Sequence, residues 1–311
     1  MKLSFYIDRT NYKMKIDKIL VDKIHNISRK KIRRLLDSGN VFVNDKVKTY
    51  SSTVLKVGDK IQVHNFDEIE QPDTYASIED LILYEDKESL VVNKLPGLTC
   101  DQGSKKSNSV TSFFEKGLIK ERGLKSINLY LCHRLDKDTS GALILAKNHG
   151  SRDWYINQFR TRSIKKTYIA ICHHFPEKKN WQLENYLSKI SPIDRRVKVL
   201  ATGGNQAITK FRKISHNTIK KVSLIQCIPV TGRSHQIRFH LCQSSIPILG
   251  DLTYSKDLKL ARSSGVRTHC LHAQKIEFTP YKKTKSHSVK AFFLMNMTQV
   301  AKNLKIHLND I

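Results

Sequence analysis

Residues 133–147, HRLDKDTSGALILAK, constrain the fold of this chain more than any other stretch. Ala142 to Ala146 form an apolar run that reads as a buried strand, and the turn residues Thr139, Ser140 and Gly141 stand directly before it. Ahead of the turn lies a carboxylate, Asp136, between Arg134 and Lys137, with a second, Asp138, two positions on. Gly141 admits close approach of another backbone where the chain bends. A rigid strand with a carboxylate held at its entrance is a way of presenting a reactive side chain, and a surface ion pair needs none of that detail. Asp136 could be a structural ion-pair partner, a metal ligand, a general base or a nucleophile. Metal ligation is poorly supported, because no clustered acids or histidine pairs stand near it at ligand spacing.

Around this stretch the chain alternates strand-like runs (81–84, 89–93, 142–146, 167–172, 207–213, 222–228 and 271–278) with helical patterns near 108–118, 151–161 and 233–243. Many strands and few helices predict an α+β fold, a mainly antiparallel sheet with helices attached, over residues 81–311. No Gly-x-Gly-x-x-Gly or phosphate loop occurs, so no nucleotide cofactor is indicated. Residues 14–64 read as a separate small α+β module. Ile16, Ile19, Leu20 and Ile24 fall at helical spacing, and Ser28 is placed to cap a second helix that buries Ile32, Leu35 and Leu36 and stops at Gly39. Turns at Asn44-Asp45 and Gly58-Asp59 then separate short strands. The second helix is cationic, with Arg29, Lys30, Lys31, Arg33 and Arg34; Lys46 follows the first turn. Residues 65–80 are acidic, contain Pro72 and lack periodicity, which predicts a linker.

Charge narrows the function. The 311 residues hold 55 Lys and Arg against 28 Asp and Glu, a net +27, and an excess of that size points to a polyanion such as nucleic acid. Six scattered cysteines without a Cys-x-x-Cys pair argue against structural zinc and against a disulfide framework, and predict reduced thiols in the cytoplasm. The first residues alternate polar and apolar, unlike a signal peptide, and no run approaches a membrane span.

The HRLDKDTSGALILAK stretch resembles the catalytic motif of the RluA family of pseudouridine synthases, which pairs His-Arg-Leu-Asp with Thr-Ser-Gly and an apolar run. KKTYIA (165–170), PVTGRSHQIRFHL (229–241) with PILGDLTY (247–254), and LHA (271–273) are similar to the family's later motifs, in the same order. Residues 14–64 resemble the S4-type RNA-binding module. The resemblance implies isomerisation of uridine to pseudouridine in RNA, on a pseudouridine synthase fold, with no cofactor and no metal.

It also implies roles. Asp136 is the essential aspartate, acting as nucleophile or base, and Arg238 is its counter-ion, with Arg233 a weaker candidate for that pairing. Tyr168 stacks under the uracil and helps remove the C5 proton. Arg134 fills the gap left by the extruded base, and Leu271 packs on the target. Lys165, Lys166 and Arg233 contact substrate phosphates, and Arg29, Lys30, Lys31, Arg33, Arg34 and Lys46 bind RNA from the S4-like module. His133, His235 and His240 are expected to be structural or RNA-contacting. An S4-like module on this catalytic domain resembles the enzymes of large-subunit ribosomal RNA more than those of tRNA, and a monomer is expected. A tRNA pseudouridine synthase is one alternative; a non-catalytic RNA-binding or ribosome-assembly protein is another, disfavoured by retention of Asp136, Tyr168 and Arg238 together. A zinc deaminase lacks its ligand pattern here. NKLPG (93–97), TCDQG (99–103) and residues 173–200 depart from the family pattern, which bears on target choice more than on chemistry.

Overall fold

The computed structural model describes residues 3–24, 32–33, 35–36, 39–48, 50–64, 77–100, 109–193, 196–255, 259–266 and 268–308. The chain divides into two compact units, residues 1–74 with 265–267, and residues 75–264 with 268–311.

In the smaller unit helix α1 (Ile16–Lys23) accompanies β1 (Leu3–Tyr6), β2 (Val41–Val43), β3 (Lys46–Val47) and β4 (Lys60–Val63), which form an antiparallel sheet in the order β1-β4-β2-β3. β1 precedes the stretch marked out by patterning, because its apolar residues alternate over only four positions. Asn44 and Asp45 both take left-handed φ, +50° and +61°, which matches the twist of the β2–β3 hairpin. Asn44 also accepts from the Lys60 amide and donates to Asp59, tying the two turns together. Ile16, Ile19, Leu20, Ile32, Leu35 and Leu36 all face the core of this unit. Ser28, Arg29, Lys30, Lys31 and Arg34 lie outside the described residues; Arg33 and Lys46 are exposed.

The larger unit is built on β5 (Ile82–Glu85), β6 (Ser89–Lys94), β7 (Tyr130–Leu131), β8 (Ser140–Ala146), β9 (Lys165–His173), β10 (Asn180–Leu187), β11 (Asn205–Asn217), β12 (Val222–Pro229), β13 (Leu271–Phe278) and β14 (His287–Lys290). The main path of the sheet runs β10-β11-β12-β9-β13-β8-β6-β5. Every pairing in it is antiparallel except β13 against β8. Helices α2 (Val110–Arg122), α3 (His149–Arg160), α4 (Gln236–Gln243), α5 (Lys259–Ser263) and α6 (Met295–Asn303) complete the unit. Ser109 caps α2 and Asn148 caps α3, each accepting from the amide three residues on. Tyr155 of α3 is fully buried on Ile144, Ala146, Ile276 and Phe278, and its hydroxyl meets Ser89 Oγ at 3.0 Å.

Part of the stretch expected as linker is packed instead. Ile78 is buried under Gly117, and Glu121 of α2 accepts from the Ser77 hydroxyl and the Ile78 amide. The acidic residues 65–76 lie outside the described residues. β10 and β14 escape the sequence reading because their outward positions are polar. No helix among the described residues is long and apolar enough to cross a membrane.

Candidate active site

β8 and β13 run parallel, so the turn entering one and the residues opening the other arrive at the same end of the sheet. There the backbones touch. Gly141 sits at φ +110°, and a Cβ on it would lie 2.3 Å from the Ala273 carbonyl oxygen and 2.6 Å from the Ala273 nitrogen. Only glycine fits such an approach. The turn before it, Asp136–Thr139, closes with a hydrogen bond from the Thr139 amide to the Asp136 carbonyl.

Lys94 lies beneath this turn at the end of β6, fully buried. Its ammonium donates to the carbonyls of Leu95, Lys137 and Thr139, each at 2.9 Å, so all three N–H groups have an acceptor. Burial pulls its pKa down to about 8. Two buried histidines hold the turn from the other side, His269 Nε2 against Thr139 Oγ1 and His272 Nδ1 against Ser140 Oγ, both at 2.9 Å. His133 accepts the Ile144 amide through Nε2, which requires a neutral ring, and burial pushes its pKa down to about 3.

Asp136 is thereby presented to Arg238 of α4. Arg238 Nη1 donates to Asp136 Oδ2 at 3.0 Å, while Nε and Nη2 donate to the two oxygens of Asp251 at 2.7 and 2.9 Å. Nη2 also reaches Thr253 Oγ1 at 3.0 Å. Asp251 is fully buried. Burial alone would raise its pKa, but the hydrogen bonds and charge of Arg238 outweigh that and hold it below the ordinary value. The guanidinium is therefore fixed on one side by Asp251 and offers the other to Asp136. His235 Nε2 stands 3.9 Å from the same Asp136 oxygen, and burial lowers the His235 pKa.

A cavity of about 540 Å³ opens over this pair, lined by Arg134, Asp136, Lys166, Tyr168, Arg233, Arg238 and Leu271 among others. Seven residues expected from the sequence thus share one cleft. Lys165 is not among them: alternation along β9 places it on the surface, opposite Glu277 in register. Arg160 and Arg162, at the end of α3 and just beyond it, line the cleft without having been expected. Tyr168 is buried, and burial together with the charge of Asp136 raises its phenol pKa well above the ordinary value, so it is a neutral phenol at physiological pH. Lys166 Nζ has a single long hydrogen bond, 3.5 Å to the Thr231 carbonyl, and burial lowers its pKa to about 8.

Besides Arg160 and Arg162, reading the sequence missed Asp251 and Lys94. Asp251 lies within PILGDLTY, where a lone acid in an apolar segment was a usable signal. Lys94 ends the apolar run SLVVNK and carried a weaker one.

The family model for RNA pseudouridylate synthase matches residues 88–243, and that for the S4 domain matches residues 14–61. An uncharacterised RNA pseudouridine synthase of Mycoplasma genitalium is 32% identical over 89% of this chain and 87% of its own length. Ribosomal large subunit pseudouridine synthase C of Buchnera aphidicola is 30% identical over 88% of each. Among solved structures, human RNA pseudouridylate synthase domain containing 4 superposes with a TM-score of 0.61 at 25% identity, over 74% of this chain and 95% of that one.

Proposed function

We propose, since this chain belongs to the RNA pseudouridylate synthase family and is an enzyme that isomerises uridine to pseudouridine in RNA, that its target is the RNA of the large ribosomal subunit, with Asp136 as the catalytic carboxylate. The observation that carries the reading is the Asp136–Arg238–Asp251 arrangement at the floor of a cleft rich in cations. Support for the target comes from the Buchnera relative, named for the large ribosomal subunit and matched over most of both chains.

In this reading the cleft receives one extruded uridine. Asp136, paired with Arg238, acts on the ribose or the base while the bond between N1 and C1′ breaks. The uracil turns, C5 joins C1′, and as C5 gives up its proton N1 takes one up, so atoms and charge balance without any other reactant. Tyr168 packs on the uracil as a neutral phenol, which fits stacking and hydrogen bonding better than service as a phenolate base. Leu271 bounds the base, and Arg134 takes the space that the base vacated. Lys166 and Arg233 take the adjoining phosphates, with Lys165 outside the cleft as a more distant contact. The S4 domain adds affinity through Arg29, Lys30, Lys31, Arg33, Arg34 and Lys46. We place the enzyme in the cytoplasm as a monomer; its six cysteines, all of them thiols and five of them buried, support a reducing compartment.

Pseudouridine mapping of total RNA from cells with and without this gene tests the target. Loss of one or a few modifications in large-subunit RNA is expected. Losses confined to tRNA would overturn the ribosomal assignment, and no loss anywhere would remove the catalytic one.

A further inference from the structure

The lip of the cleft is connected along α4 by a chain of hydrogen bonds that is buried except at its last link. The Gln236 side chain accepts the Arg233 amide at Oε1 (2.9 Å) and donates from Nε2 to the Ile208 carbonyl (2.9 Å), so backbone groups at both ends fix its orientation. Thr231 Oγ1 accepts the Ile208 amide and therefore donates its proton to Gln236 Oε1 at 2.8 Å. Gln236 Nε2 also donates to Thr209 Oγ1 (2.9 Å), which stands 2.9 Å from His240 Nδ1. His240 Nε2 donates to Asn185 Oδ1 at 3.0 Å, so Nδ1 of the neutral ring accepts the Thr209 proton. Asn185 Nδ2 ends the chain on Gln243 Oε1 at 2.8 Å. Thr209, Thr231, Gln236 and His240 are all buried.

Buried polar chains of this kind add little stability over an apolar core of the same shape, and their usual product is a unique geometry. What this one fixes is the loop from Thr231 to His235. Arg233 hangs from it, held by its amide on Gln236 and by its Nε on the Gln206 carbonyl at 2.9 Å. The Asp136–Arg238 pair is secured separately, by Asp251 and Thr253. We infer that Gln236 and His240 are positioning residues that act through Arg233, setting its guanidinium where the RNA backbone beside the target nucleotide must pass. The inference rests on the reading of Arg233 as an RNA contact.

The test is RNA affinity and single-turnover conversion for Gln236→Leu, His240→Phe and His240→Asn, each alone and combined with Arg233→Ala. Asn offers an oxygen where the histidine has Nδ1, so it keeps the Thr209 link; Phe keeps the ring and loses both links. Gln236→Leu and His240→Phe are expected to weaken binding of a large-subunit RNA transcript about tenfold, with the rate at saturation nearly unchanged. His240→Asn should stay within about twofold of the parent, and none of the three should weaken binding further once Arg233 is alanine. Multiplicative losses in the Arg233→Ala background, losses in rate and not in binding, or equal behaviour of His240→Phe and His240→Asn would each overturn the inference. Should Gln236→Leu fail to fold, the Phe–Asn comparison alone decides it. Filter binding needs no turnover, so a parent protein that binds the transcript and converts nothing would defeat the proposed function while this test could still be read.

Discussion

Asp136 has to carry a charge inside a cleft that RNA will close over, where a lone carboxylate would take up a proton. Arg238 supplies the opposing charge. Because Asp251 already holds Arg238 by two hydrogen bonds, removing the charge at Asp136 does not strand the guanidinium. Asp136→Asn should therefore melt at the parent temperature and bind RNA as well as the parent or better, while conversion falls at least about a thousandfold, or roughly 4 kcal/mol in the barrier. Single-turnover conversion and filter binding check this, and retained conversion would end the nucleophile reading. Arg238→Met is expected to behave differently. It leaves Asp251 buried without its counter-charge, with only the Thr253 and Tyr254 amides as donors, as well as freeing Asp136, so about 3–5 kcal/mol of stability should go with the activity. Denaturant unfolding separates the two variants. At this scale the Asp136–Arg238 pair was legible, since both residues stand in long, specific motifs. Asp251 and Lys94 were not, because each acts through contacts that only the folded sheet creates, with Lys94 reaching carbonyls of Lys137 and Thr139.

Between elements, the parallel seam of β8 and β13 brings two backbones into direct contact at Gly141 and Ala273. Gly141→Ala would drive a methyl group into the backbone of Ala273, which has no flexible end to yield, and should cost roughly 3 kcal/mol or more along with most of the activity. A urea midpoint equal to that of the parent would contradict the packing described. The histidines that pin this seam also give stability a pH dependence. In the unfolded chain His133 and His272 take up protons near their ordinary value of 6.5, whereas burial holds the folded values at about 3 and about 4. Below pH 6.5 the unfolded state binds more protons, so stability is full above that value and falls as the pH drops toward about 4. Melting temperatures between pH 7 and pH 4.5 should decline, with a shallower slope for His272→Gln; a flat profile would refute it. Strands buried on both faces were legible as apolar runs. β10 was not, since its outward positions are Asn180, Gln182, Glu184 and Tyr186, and a polar edge strand resembles a loop in sequence.

Charge is unevenly shared across the whole molecule. Residues 1–74 hold 15 Lys and Arg against 10 Asp and Glu, so most of the +27 belongs to the larger unit. Each unit also encloses its own apolar cluster. A chain lacking residues 1–74 is therefore expected to fold and to convert a short RNA stem. It should keep most of the salt dependence of binding, while losing affinity for a large structured RNA. Circular dichroism and binding across a salt series check this, and collapse of the truncated chain would mean that the two units share a core. The two-part organisation was legible from the acidic stretch after residue 64, but the packing of Ile78 under Gly117 was not, since it depends on a helix more than thirty residues on. β13 stands in the middle of the sheet, between β9 and β8, although it is made after both. While the chain is being synthesised, the strands up to β8 and those from β9 to β12 can each pair locally, but no strand pairing of the main path joins the two groups until residue 271 and its successors emerge. Asp136 is made early, yet its neighbour Leu271 is supplied last. The centre is thus completed only late in synthesis, by a closure that spans 132 residues from Ser140 to His272.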